Sequence, residues 1–229
     1  MTQHSIAITV TGHAEREFTP NRCTVRLRVH TDGATHEAAA EPATAAVKAV
    51  TDLVTALRDH ENSPVKRWTL DQVQHSRHRP YSRDGKKRQW VYQSSASITV
   101  TFTDFRAVGP FVTRASEVEA VNVDHLRWWV SRKAEAKRLA KVRHLAVLDA
   151  IEKAQGFTEA LGFGTFHAVA IADPGMLGVA PPTEPVRSAG APMMRALAAP
   201  MGVDGEPELV LEPDRITISA DVEARFEAS

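Results

Sequence analysis

A chain of 229 residues with 43% apolar and 24% charged side chains is long and oily enough to fold around a substantial core. Its 28 basic and 28 acidic residues cancel, which argues against a protein that coats nucleic acid over its whole surface. Cys23 stands alone, excluding an intrachain disulfide and a cysteine-rich metal site, and no apolar run reaches the roughly 18 residues of a membrane span. The opening Met-Thr-Gln-His has no basic region followed by an apolar one, so a cytoplasmic chain is expected, with an envelope location only if a signal segment precedes it.

Taken in order, Ile6, Ile8 and Val10 alternate with polar neighbours and predict a strand ending at Gly12. Beyond the Pro20-Asn21 turn, Cys23, Val25, Leu27 and Val29 alternate with Thr24, Arg26, Arg28 and His30. This second strand is expected to pair with the first as a hairpin, because sequential strands usually do. Its parity puts Cys23 on the apolar face, as a buried and inert thiol. From about Thr35 to His60 the period becomes helical, with Val47, Val50, Leu53, Val54 and Leu57 on one stripe. Pro42, suited to a first turn, places the strong start near Glu41.

Trp68–Gln74 and Trp90–Thr103 read as two strands of a long hairpin, whose tip at 75–88 is basic and broken by Pro80, Asp84 and Gly85. Asp104 caps a predicted helix to Ser116, with Val108, Phe111, Val112 and Ala115 inward; Val121–Ser131 is a strand whose Trp128 and Trp129 face opposite ways. A long helix over Ser131–Leu161 follows, its stripe set by Leu139, Val142, Leu145 and Ala146, then a short strand from Gly164 to Ala172. Residues 173–207 hold seven of the thirteen prolines and five glycines, and are expected to be a loop or arm. The last stretch, Leu209–Phe226, alternates Ile216, Ile218, Ala220, Val222, Ala224 and Phe226 with polar residues, a long strand that needs a sheet beside it and helices over its oily face. The expected fold is α+β, with a mixed, largely antiparallel sheet covered by long helices, a protruding hairpin and a Pro-rich loop, in a single domain over 1–229.

Several phrases resemble the SIMPL domain family, a family of unknown function that includes a bacterial periplasmic immunogenic protein. "ITVTGHAEREFTPNRCTVRLRVHTDG" resembles its start, "SSASITVTFTDFRAVGPFV" its central strand and following helix, and "LGFGTFHAVAIAD" the turn out of its long helix. "APMMRA" sits in the corresponding Pro-rich loop, and "LVLEPDRITISADVEARF" resembles the closing strand. The resemblance runs from Ile6 to Phe226. It implies an α+β fold, ring-like or channel-like assembly in some members, and no established catalytic residues. The basic hairpin tip is more charged than the family leads one to expect.

No residue pattern points to catalysis, and no metal or cofactor is expected. His75 and His78 sit in a basic turn without a carboxylate pair or cysteine. The glycines of "LGFG" are helix-end glycines and not a phosphate loop. The expectation is a non-enzymatic, self-associating structural or interaction protein, a homo-oligomer with room for an unidentified protein partner. The candidate contacts are Arg77, Arg79, Tyr81, Arg83, Lys86, Lys87 and Arg88 at the tip, Trp129 at a sheet edge, and Met193, Met194 and Leu197 as soft anchors in the arm. Residues 66–88 carry eight Lys or Arg against Asp71 and Asp84, whereas 204–229 carry eight acids against Arg215 and Arg225; opposite fields of this kind can meet between subunits. Two rivals stand beside this expectation. Nucleic acid could be held by the basic tip with Tyr81, Trp90 and Tyr92, and an enzyme would require His125, His144 or His167 to face an acid across a cleft.

Overall fold

The computed structural model describes residues 5–59, 61–81, 88–178 and 211–229. Among these, seven strands and three α-helices follow the order β1 (Ile6–Phe18), β2 (Arg22–Gly33), α1 (His36–Arg58), β3 (Val65–His78), β4 (Val91–Phe102), a 3-10 turn (Phe105–Ala107), α2 (Val108–Ser116), β5 (Val121–Trp129), α3 (Arg132–Ala160), β6 (Phe166–Ala172) and β7 (Ile216–Ala228). The fold is α+β and antiparallel throughout, as expected. The strands divide between a three-stranded sheet ordered β1-β7-β6 and a four-stranded sheet ordered β3-β4-β2-β5. They belong to two compact units, one built on β1, α3, β6 and β7 and the other on β2, α1, β3, β4, α2 and β5.

This division overturns the expected hairpin of β1 with β2. β1 pairs instead along its whole length with β7, Ile6 opposite Ala228 and Phe18 opposite Ile216, while β2 lies between β4 and β5. The two segments are adjacent in sequence, but β7 offers β1 thirteen matched positions and an apolar face of the same parity. Nor does β1 end at Gly12. At Gly12 the helix α3 comes so close that an added Cβ would sit 2.0 Å from the Ala146 carbonyl oxygen, so the residue marks a helix contact within the strand.

In the four-stranded unit, Cys23, Val25, Leu27 and Val29 of β2 and Ala96, Ile98, Val100 and Phe102 of β4 face α1 and α2. Val50 and Val54 of α1 and Val108, Phe111 and Ala115 of α2 close over them. Fully burying each Val, Leu or Phe contributes on the order of 1.5–3 kcal/mol before ordering costs. Burial pushes the Cys23 thiol up to about 12, so it is the inert packing group its strand parity implied. Helix α1 starts earlier than Pro42 suggested: Thr35 caps it by accepting the Ala38 amide at 3.2 Å, and Pro42 lies inside. The turn before it is fixed by Gly33, where a Cβ would lie 2.6 Å from the Ala39 nitrogen. Asp104 caps the 3-10 turn, accepting the Arg106 amide at 3.0 Å, and α2 begins one turn later than the expected helix.

In the three-stranded unit β7 is the inner strand, as its sequence required. Helix α3 covers β1 and β7 with Val142, Ala146, Ala150, Ala154 and Thr158, each four residues after the last. This differs from the expected stripe through Leu139 and Leu145: the small side chains face the sheet, because Gly12 and Ala224 leave little room beneath the helix.

Candidate interaction surfaces

Four strands form the sheet edges among the described residues: β1 and β6 in one unit, β3 and β5 in the other. An edge strand presents unpaired backbone groups, so what each does with them decides which can accept a partner. β1 is sealed by its own helix. The His13 amide donates to Asp149 Oδ2 at 2.7 Å, and Lys153 Nζ donates both to the Thr11 carbonyl oxygen at 2.9 Å and to Asp149 at 2.7 Å. Lys153 and the His13 amide hold the Asp149 carboxyl below the usual carboxylate range.

β3 is the longest edge. Its register slips between Val65 and Arg67 and between Leu70 and Gln72, bulges that put Arg67 and Asp71 on the open face, where Asp71 accepts from Thr69 and Thr99 at 2.5 Å. On the helix side Trp68 is half-buried, but Leu70 and Val73 are exposed, Val73 to 57%, because α1 lies over β2 and β4. Farther along, Arg77 and Arg79 both stack on Trp90, at 4.8 and 4.3 Å from the ring centroid, and Tyr81 is 89% exposed. The structure therefore brings Arg77 and Arg79 together through an aromatic platform. Arg88 is exposed beside it. Arg83, Lys86 and Lys87 at the tip lie outside the described residues, as do Met193, Met194 and Leu197 and most of the 173–207 arm. His75 and His78, three apart on a strand, face opposite ways; His75 Nδ1 meets Ser94 Oγ at 2.8 Å and its ring packs on His36.

β5 carries a bulge opposite Arg26 and Leu27, with Asp124 held by Arg28 at 2.9 Å. The Trp pair divides as parity requires. Trp128 packs edge-on against Phe105 at the core, and Trp129 lies half-buried on the open face, its Nε1 donating to Thr24 Oγ1 at 2.9 Å. Past Val121, where β5 ends, β2 runs on beside α1. There a cleft of about 530 Å³ opens, lined by His30, Thr31, Asp32, Pro42, Ala45 and Glu119 among others. His30 Nε2 lies 3.5 Å from Asp32 Oδ1, both about half exposed, and the buried Thr31 hydroxyl donates to the Ala39 carbonyl at 2.6 Å. His30 was not singled out in the sequence, where it is one more polar residue in an alternating strand.

β6 differs from the other edges in composition. FHAVAIA contains no acid, Lys or Arg, and Val169 and Ile171 are 56% and 57% exposed. The expected alternation through this strand breaks at a bulge between Ala168 and Ala170, which leaves Val169 without a partner on β7. Next to it lies a buried carboxylate that the sequence reading did not identify. Glu223 of β7 is 2% exposed and accepts the Gly175 and Leu177 amides at 2.7 and 3.0 Å, while Arg225 Nη2 donates to the Leu177 carbonyl at 3.2 Å. These amides hold the Glu223 carboxyl below its ordinary range. Gly175 and Gly178, at φ 82° and 77°, supply the left-handed residues that let the turn close on it.

Among the described residues no group of three His, Cys, Asp or Glu side chains could hold a metal ion, and no helix is long and apolar enough to cross a membrane. His167 Nε2 lies 3.9 Å from Glu227 Oε2, with both side chains exposed on a sheet face. In comparisons with known proteins, the model of a family described as SIMPL, a protein of unknown function (DUF541), matches residues 8–226. No curated protein matches the sequence.

Proposed function

The chain belongs to the SIMPL family, whose function is unknown, and on that premise we propose that it is a self-associating structural or interaction protein that works by binding and not by catalysis. The observation that carries this reading is the apolar side chains exposed on outer strands of both sheets: Leu70 and Val73 on β3, Val169 and Ile171 on β6. Unpaired backbone beside exposed aliphatics is the combination through which sheets add strands. The stacked Arg77, Arg79 and Trp90, with Tyr81, extend the β3 surface with the residue types that dominate interface energetics. In the cleft at His30, the nearest hydroxyl, that of Thr31, is buried and committed to a backbone carbonyl, which favours binding over nucleophilic chemistry there.

Sedimentation velocity over a range of micromolar concentrations tests the reading. Concentration-dependent growth of the sedimentation coefficient is expected; a monomer at every concentration overturns it. Fluorescence anisotropy with single- and double-stranded nucleic acid at low salt tests the basic-tip rival, and tight, salt-sensitive binding would replace the present reading with that one.

A further inference from the structure

We propose that the β6 edge is a pairing surface for a second copy of this chain, joining the two three-stranded sheets antiparallel through β6 and β6 of the partner copy. This rests on the self-association reading above and names the surface.

Charge separates the edges. β1 carries Glu15, Arg16 and Glu17 and is sealed by Asp149 and Lys153; β3 carries Lys66, Arg67 and Asp71; β5 carries Asp124 and Arg127. Charged side chains and sealed backbone are how soluble proteins keep an edge from pairing. Bulges do not discriminate, since β3, β5 and β6 all have one. β6 alone of these four has no Asp, Glu, Lys or Arg.

The same composition selects the occupant. An antiparallel pairing of identical strands about a two-fold axis at Val169 sets Phe166 opposite Ala172 and Ala168 opposite Ala170, with no like charges facing each other. Ile171 lies opposite Ala224, on the side of the sheet that α3 covers only over β1 and β7, so its exposed side chain would gain cover from the partner. On α3, Leu148 and Ile151 are exposed as well, leaving further apolar surface in this unit for such a contact. The chain following β6 is led elsewhere. Glu223 and Arg225 tie Gly175 and Leu177 to β7, the inner strand, so the turn after β6 crosses the sheet face and does not double back along the free edge.

The test combines sedimentation with crosslinking of the full chain. Val169→Lys and Ile171→Lys each alter a side chain more than half exposed and should leave the melting temperature near that of the parent, while weakening self-association by about tenfold or more, the effect of roughly 1.4 kcal/mol. Leu70→Lys on β3 should leave association unchanged. Val169→Cys should give a disulfide-linked dimer under mild oxidation, without interference from Cys23, which is fully buried. If the parent associates but the β6 variants associate equally well and Val169→Cys does not crosslink, the β6 surface is wrong while self-association stands. If Leu70→Lys is the variant that dissociates, the pairing edge is β3. A parent that is monomeric throughout removes both readings.

Discussion

The two sheets solve the same problem with opposite materials. The four-stranded sheet buries large aliphatic and aromatic side chains, such as Leu27, Ile98 and Phe102, beneath α1 and α2, and it guards its edges with charge and bulges. The three-stranded sheet packs a helix onto its strands through Ala146, Ala150, Ala154 and Gly12, so the helix sits close to the sheet. With so little side-chain volume between the layers, the smaller unit depends on proximity where the larger depends on buried area. The smaller unit also seals one edge with a pair of helix side chains and leaves the other uncharged.

The largest effect expected from breaking that contrast is at Gly12. Gly12→Val must push a branched side chain into the Ala146 backbone, which cannot swing aside, and should cost about 3 kcal/mol or more, read as a fall in melting temperature. Leu27→Ala in the other unit removes buried volume instead and should cost about 2–5 kcal/mol in chemical denaturation. Both variants are destabilised, but by opposite mechanisms: a second substitution that removes volume, Ala146→Gly, should partly rescue Gly12→Val and do nothing for Leu27→Ala.

A smaller effect is expected at the sealed edge. Lys153→Met removes the cation from Asp149 and the donor from the Thr11 carbonyl, and should cost about 1 kcal/mol while speeding exchange of the His13 amide in hydrogen-exchange mass spectrometry. Unchanged exchange at His13 would mean that the clasp does not protect β1.

Acid should act on the same unit. Asp149 and Glu223 both titrate below their ordinary values in the folded chain, so their stabilisation is complete above the unfolded carboxylate range near pH 4 and is lost as the pH falls through their folded values. Amides around Gly175 and Leu177 should lose protection on acidification below about pH 4, before the β2 and β4 amides of the larger unit do. The smallest change is a gain: Gly156→Ala in α3, where an added Cβ meets nothing within 4 Å, should stabilise by about 0.5–1 kcal/mol.

The elements themselves were legible in the sequence because each rests on a local period. The alternation of β2, β4 and β7 and the stripe of α1 state their buried faces directly, and Trp128 and Trp129 divide as strand parity requires. Candidate contacts were legible only as composition: the pairing of Arg77 and Arg79 on Trp90 needs β3 and β4 to be in register. His30 and Glu223 were invisible as site residues, since each is an ordinary polar member of an alternating strand until a distant turn or helix closes beside it.

By itself the sequence determined which segments are strands or helices, which face of each is oily, and that Cys23 is a packing group. Partner choice was decided only in three dimensions. β1 could have paired with its sequence neighbour as readily as with β7, because alternating strands of like polarity are interchangeable to any local rule. What separated them was the fit of Gly12 beneath α3 and the thirteen-position match to β7, contacts between residues more than a hundred positions apart.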